Sequence, residues 1–334
     1  MNKSDFYSQA ESFLVHLFEQ LKAHKVDLKP HWSIDHLCFR VQSAEAYQQY
    51  KQEFEKFGSM LIESEVNGRM IATYKLQEPV RFRGYNIDVV ELPAPKPGKN
   101  TPEGFEHVEV VVDESFQSLK ERFKHCQMDD GGLKKLFNQE LEIEMQGCAL
   151  KFHPLSLESV IAIEKNQNVY RALTGSKVLE ILKPYHPVVA GTFPLEVHTD
   201  QSDLDILVTA SDLGELSKVL QKNFSTFELF AISQKPISGK ETLLARFYYK
   251  NVPFEIFAQN TESVQQMAYL HFQVEERLLR LGGGKFRQQV QELRKQGLKT
   301  EPAFAKALNI PGDPYEALLR LHSLKEGDLE KLLI

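Results

Sequence analysis

Apolar positions along the chain switch between helical and strand spacing in an ordered way. In residues 5–25, Phe13, Leu14, Leu17, Phe18 and Leu21 recur at three- and four-residue intervals, which predicts an amphipathic helix. After Lys29-Pro30-His31, residues 34–41 alternate as a strand, and a helix-like segment follows over 43–57. Asn67-Gly68-Arg69 then marks a turn, with strands predicted at 70–76 and 86–92. A second series repeats the order: a strand over 105–112, a helix-like segment over 115–125, and strands at 141–145 and 148–153. The series align at their starts, where Ile34-Asp35-His36 and Phe105-Glu106-His107 each place an acidic residue and a histidine before alternating apolar positions. This is a weak internal repeat of about 60–70 residues.

The second half reads differently. A helix over 170–182 closes at Lys183-Pro184, because a residue preceding proline leaves the α region. The run Val188-Val189-Ala190 ends in Gly191-Thr192, and a second run opens as Ser202-Asp203-Leu204-Asp205. Strands at 244–249 and 252–257 form a hairpin about Lys250-Asn251. Helices are then expected from a Thr261 cap over 262–281, broken by Gly282-Gly283-Gly284, over 286–296, and from about 302 and 314. The polar run at 164–168 reads as a short linker, giving an α+β chain with domains at 1–165 and 166–334.

Length and charge narrow the classes. With 334 residues, 42% of them hydrophobic, the chain can build two cores. No stretch approaches the roughly 18 apolar residues of a membrane span, so no membrane association is expected. The first helix lacks the continuous apolar region of a secretory signal. Three cysteines, Cys38, Cys126 and Cys148, read as reduced thiols, and a cytoplasmic location is expected. Residues 1–165 carry 20 basic against 26 acidic side chains and residues 166–334 carry 20 of each, so neither half is a basic platform for DNA. Residues 277–306 alone hold eight basic and two acidic side chains, which suits a phosphate-rich ligand or a solvated helix face.

In the first half, His36, Glu91, His107 and His153 stand near strand starts and ends, where two curved repeats would bring them together. Such a set suits Zn²⁺, Mn²⁺, Fe²⁺ or Ni²⁺ as a Lewis acid, and Glu109 can replace one of the four. Through Asp35-His36-Leu37, Asn67-Gly68-Arg69, Val90-Glu91-Leu92-Pro93, Glu106-His107-Val108-Glu109 and Lys151-Phe152-His153-Pro154, residues 5–165 resemble the YecM family. That family is a branch of the vicinal oxygen chelate superfamily. The resemblance implies paired βαβββ modules cupped around a divalent metal held near those four residues, in a superfamily of epimerases, lyases and dioxygenases.

In the second half, Asp203 and Asp205 share one face of a strand, as two carboxylates holding Mg²⁺ would. Glu255 is the candidate third ligand, Gly191 allows close backbone approach to phosphate, and Thr192 offers a hydroxyl. Residues 172–322 resemble an uncharacterised family of the nucleotidyltransferase, DNA polymerase beta-like, superfamily. The residues that carry this are Ala190-Gly191-Thr192-Phe193-Pro194, Ser202-Asp203-Leu204-Asp205, Phe254-Glu255-Ile256-Phe257 and Gly312-Asp313-Pro314-Tyr315. The resemblance implies Mg²⁺ on Asp203, Asp205 and Glu255, and nucleotide contacts at Gly191, Thr192 and Ser202. Lys299 is the basic side chain expected on phosphate. The expected partners are an NTP and an acceptor hydroxyl or amine on a small molecule, protein or RNA. Two other readings stand beside this: a non-catalytic metal- and nucleotide-binding regulator, and a vicinal oxygen chelate enzyme with an inactive second domain.

Overall fold

A computed structural model of the protein describes residues 2–96, 98 and 102–333. The chain divides into two compact units. The first comprises Met1–Val112, Leu119–Lys135 and Gln139–Leu157; the second comprises Asp113–Ser118, Leu136–Asn138 and Glu158–Ile334. The main division falls before the polar run at 164–168. No helix among the described residues is long and apolar enough to cross a membrane.

The first unit opens with α1 (Lys3–Ala23), started by a reciprocal cap in which Asn2 accepts from the Asp5 amide and Asp5 accepts from the Asn2 amide. Its elements continue as β1 (Ser33–Arg40), α2 (Ala44–Phe54), β2 (Gly58–Val66), β3 (Arg69–Phe82), β4 (Tyr85–Pro93), β5 (Gly104–Val111), α3 (Phe116–Arg122), β6 (Met128–Asp129), β7 (Leu141–Met145) and β8 (Cys148–His153). One eight-stranded sheet runs β2-β3-β4-β1-β5-β8-β7-β6. Within each repeat the first and last strands pair in parallel, β1 with β4 and β5 with β8. The repeats meet where β1 and β5 run antiparallel. This is the paired βαβββ order that the resemblance implied. The pattern of residues missed β2, whose side chains are mostly half-buried or exposed, and the two-residue β6.

One face of this sheet is apolar. Phe39 of β1 and Phe105 of β5, register partners with centroids 5.1 Å apart, pack with Phe6 of α1 and Phe54 of α2. Aromatic pairs at such separations add about 0.5–1.5 kcal/mol each beyond their buried area. The face on which His36 and Cys38 lie is the polar one, and α1 and α2 leave it uncovered.

The β1–β5 ladder is interrupted twice. Between the pairs Ile34–Val110 and His36–Glu109 the extra residue is Asp35; between Cys38–His107 and Phe39–Phe105 it is Glu106. Bulges of this kind kink a strand locally and re-aim its side chains.

The second unit contains α4 (Leu157–Lys165) from Glu158 onward, α5 (Gln167–Gly175), α6 (Val178–Ile181), β9 (Val188–Ala190), β10 (Leu204–Thr209), α7 (Leu213–Phe224), β11 (Glu228–Ile237), β12 (Lys240–Tyr249) and β13 (Val252–Gln259). The helices α8 (Met267–Lys295), α9 (Thr300–Ala307), α10 (Pro314–Leu321) and α11 (Glu326–Glu330) complete it. Its sheet runs β11-β12-β13-β10-β9, with β10 and β13 parallel. Lys250 and Asn251 both have positive φ, as the predicted two-residue hairpin requires.

Three local expectations are corrected. Residues 164–168 form no open linker: α4 ends, the Asn166 side chain caps α5 through the Val169 amide, and α5 begins. The segment 170–182 is two helices rather than one, because the chain turns at Lys177 with φ 58°. Thr261 does not cap α8, which starts at Met267 without a side-chain cap; its glycine break is confined to Gly283, at φ 61° and ψ −160°.

Candidate metal centres

The polar face of the first sheet gathers the first site. Cys38 pairs across with Glu91 on β4 and His107 on β5, while His36 pairs with Glu109 on β5, and Glu109 with Lys151 on β8. Register partners share a sheet face, so these side chains project together. His36, Glu91, His107 and Glu109 each offer a ligand atom, and these atoms lie within 4.8 Å of one another.

The tautomers are arranged from behind. Nδ1 of His36 lies 2.8 Å from Asp35 Oδ2, Nδ1 of His107 lies 3.0 Å from Glu106 Oε2, and Nδ1 of His153 is hydrogen-bonded to the Leu155 carbonyl. With each acceptor taking an Nδ1 proton, Nε2 is the nitrogen each ring turns forward, and a metal bound there would displace the Nε2 proton of the charged ring. Nε2 of His36 is 3.7 Å from Glu91 Oε2 and 3.6 Å from Glu109 Oε1; Nε2 of His107 is 3.3 Å from Glu109 Oε1. Both atoms are buried without a hydrogen-bond partner. Ligand atoms that share one tetrahedral ion at about 2.1 Å stand about 3.4 Å apart, so these residues fit a divalent transition metal.

Electrostatics point the same way. Burial opposes charge on His36, yet Glu109, Asp35 and Glu91 together hold its imidazole well above the usual histidine range. Burial likewise opposes charge on Glu109, but His36, Lys151 and His107 hold it well below the usual carboxylate range. Glu106, also resisting burial, is pulled down to about 2 by His107 and Arg40. A dense set of buried, mutually dependent charges of this kind suits a binding site more than a stabilising ion pair.

Of the four residues expected from sequence, the structure brings His36, Glu91 and His107 into one group. The fourth place is taken by Glu109. His153 stands one step out, with Nε2 3.6 Å from Glu109 Oε2 and 3.7 Å from Asp35 Oδ2, in a separate group with Asp35 and His36. Asp35 and Glu106 escaped assignment, although their signal was present as the acidic residue before each repeated histidine. Cys38, read as a reduced thiol, lies within the same short reach of Glu106 and His107.

The second site is carboxylate-only. Asp205 on β10 sits between Ala190 of β9 and Glu255 of β13, and Asp203 immediately precedes β10. The three carboxylates offer atoms within 4.8 Å of one another. Burial, then Asp203, Glu255 and Glu301, push Asp205 well above its ordinary value. Closely set carboxylates that resist joint ionisation are what a Mg²⁺ ion would relieve.

The surrounding residues depart from their expected roles. Gly191, at φ 76°, faces Asp205 rather than open space: a Cβ there would lie 1.9 Å from Asp205 Oδ2. Thr192 is buried. The Ser202 hydroxyl closes its own loop by accepting from the Thr199 amide at 2.9 Å. Lys299 is exposed at the N-cap of α9, and among the described residues no hydrogen bond or ion pair joins it to the three carboxylates. Arg277 donates to the carbonyls of His322 and Leu324, tying α8 to the chain after α10. Glu255 accepts from Arg246 Nε at 2.6 Å. Glu275 of α8, absent from the sequence reading, is buried with Oε1 unpartnered, and burial and Glu301 push its carboxyl well up.

These features define an α+β protein whose first unit is a paired βαβββ domain with a histidine–carboxylate metal-ligand cluster. The chain belongs to the YecM family, whose pattern, described as YecM protein, matches residues 2–164. Protein YecM of Escherichia coli is 30% identical over 147 residues, covering 40% of this chain and 78% of that protein. An uncharacterized protein of Haemophilus influenzae is 30% identical over 164 residues, covering 42% and 84%. The solved structure of the structural-genomics protein EC4020 shares 26% identity with a TM-score of 0.41, covering 48% of this chain and 92% of its own. A domain of unknown function, DUF4269, matches residues 171–321. That match brings no activity with it and lends no support to the nucleotidyltransferase expectation.

Proposed function

We propose that this is a two-domain metal-dependent protein, with a vicinal oxygen chelate-type cup in residues 1–165 and a nucleotidyltransferase-like domain in residues 166–334. The cup holds one divalent transition metal, Zn²⁺, Mn²⁺, Fe²⁺ or Ni²⁺, on His36, Glu91, His107 and Glu109, with His153 alongside. When bound, the metal supplies Lewis-acid polarisation of a substrate oxygen. The chain's own part is to fix the ligands: Asp35 and Glu106 keep the proton on Nδ1 of each imidazole. The observation that carries this reading is the pair of buried, unpartnered Nε2 atoms converging on Glu109.

For the second domain, the reading is Mg²⁺ on Asp203, Asp205 and Glu255, with an NTP as donor of a nucleoside monophosphate to a hydroxyl or amine acceptor. Bound Mg²⁺ would neutralise phosphate charge there. The alternative, a regulatory fold without transfer activity, is favoured by one observation: Arg246 already holds Glu255.

Each half has a direct test. Elemental analysis of the purified chain is expected to find about one transition metal per molecule, lost in a His36→Ala/His107→Ala double variant; retention of metal by that variant refutes the cup. Incubation with labelled NTPs, Mg²⁺ or Mn²⁺ and a metabolite extract is expected to transfer label, and Asp203→Ala to abolish it. Tight NTP binding without turnover would leave the regulatory alternative standing.

A further inference from the structure

The polar face of the first sheet carries two cations that the four-ligand group does not use. Arg40 lies on β1 two residues beyond Cys38, and therefore on the same face. At about 3.4 Å per residue, its Cα is about 7 Å along the strand from the row Glu91–Cys38–His107. Its Nε is held by Glu106, whereas its Nη1 is buried without a hydrogen-bond partner. Arg69 is on that face too, since it precedes Thr73 by four residues on β3 and Thr73 is the register partner of Glu91. Arg40 and Arg69 lie within electrostatic reach of each other, and of Cys38, Glu91 and Glu106.

Nη1 of Arg69 already donates to the Ala94 carbonyl at 3.4 Å, so the donor here that lacks an acceptor is Nη1 of Arg40. A buried guanidinium N–H without a partner is costly, and a second guanidinium nearby adds repulsion. Burial, followed by the charge on Arg40, lowers the Arg69 guanidinium from its ordinary value. Glu106 offsets one of the two charges, and Glu91, which also acts on both guanidiniums, belongs to the metal-ligand group, so positive charge remains for a ligand. A carboxylate, planar and singly charged, matches both that charge and the fork geometry of arginine better than a doubly charged phosphate.

We propose that the cup binds a small carboxylate-bearing molecule, its carboxylate held by Arg40 and Arg69 and a second oxygen directed at the His36–Glu91–His107–Glu109 group. This rests on the metal-cup reading and names its substrate class. Both ends of the ligand are recognised: one by fixed guanidinium donors, the other by the ion.

The full chain loaded with Co²⁺ is titrated with malonate, succinate and glutarate, and with their neutral diamides, while the visible absorption of the metal is followed. At least one dicarboxylate is expected to saturate the spectral change, and no diamide to do so. Arg40→Gln and Arg69→Gln are each expected to weaken that binding tenfold or more at unchanged Co²⁺ stoichiometry. Unchanged dissociation constants in both variants, or no dicarboxylate effect on the loaded chain, would overturn the proposal. Tighter binding of inorganic phosphate than of every dicarboxylate would overturn the assigned class. If the chain takes up no Co²⁺, the metal-cup reading fails, and the clamp is judged by calorimetry on the metal-free chain. Saturable dicarboxylate binding lost in both variants then supports it, and absence of binding rejects it.

Discussion

Asp35 occupies the point where β1 carries one residue more than β5, and its Oδ2 lies 2.8 Å from Nδ1 of His36. Glu106 occupies the reciprocal extra position on β5, 3.0 Å from Nδ1 of His107. Adjacent residues of a regular strand point to opposite faces and could not meet in this way. The two bulges turn each acidic residue toward the histidine that follows it. Each repeat thereby presents an imidazole with its Nε2 forward and a carboxylate behind, so the internal duplication builds one site from two equivalent halves.

Asp35→Asn removes the charge behind His36 while keeping an oxygen for the Leu157 amide, which also bonds Asp35 Oδ2. Metal affinity is expected to fall by about 10–100-fold, with stoichiometry restored at saturating metal. Competition against a chromogenic chelator measures this. An unchanged affinity would show that Asp35 serves the α4 amide alone.

The duplicated Asp-His and Glu-His pairs made the first site legible in the sequence, because a histidine at matching places in two repeats defines both its strand and its face. Glu109 and His153 were harder to rank. Which of them completes the group depends on the β1–β5 register, and two bulges shift that register in ways no alternation pattern reveals. The second site was legible as a trio, since Asp205 and Glu255 fall on strand positions that parallel pairing brings side by side and Asp203 stands just before the first of those strands. Its surroundings were not. Gly191 read as room for phosphate, yet Asp205 itself fills that room. Glu275 sits in a helix whose other buried positions are mostly apolar, so its spacing gave no sign of the carboxylates nearby.

Gly191→Ala tests that close approach. The new Cβ would meet Asp205 Oδ2 at 1.9 Å, and the backbone would have to hold φ 76° with a side chain. A loss of about 1–3 kcal/mol is expected from the backbone conformation alone. Because the chain's single tryptophan, Trp32, lies in the other unit, scanning calorimetry is the readout. A wild-type melting profile would show that neither the backbone conformation at residue 191 nor the approach to Asp205 is costly.

Asp205→Asn separates repulsion from metal binding. Without Mg²⁺ the variant is expected to melt no earlier than the wild type, since Asp203 and Glu255 no longer face a third charge. With Mg²⁺ at a hundredfold excess over its dissociation constant, the wild-type second unit gains about 2.7 kcal/mol by mass action and the variant gains little. Equal Mg²⁺ shifts in both proteins would place the ion elsewhere.

Glu275 sets a pH dependence whose sign is fixed by its environment. Burial and Glu301 raise its carboxyl in the folded chain above the ordinary value of 4.5. The folded state therefore holds the proton more tightly than the unfolded state. The stability this contributes is complete below pH 4.5 and declines as pH rises toward the folded-state value. Glu275→Gln keeps the shape and removes the titration. The melting temperature of the second unit in this variant, relative to wild type, is expected to be constant below pH 4.5. Above that pH the difference moves progressively in the variant's favour, and it levels off once the folded carboxyl has ionised. Asp205 shifts in the same direction, so the experiment is run in the Asp205→Asn background as well, where the slope due to Glu275 should persist. A difference that stays flat from pH 4 to 8 in both backgrounds would mean that the Glu275 carboxyl finds water or a cation in solution.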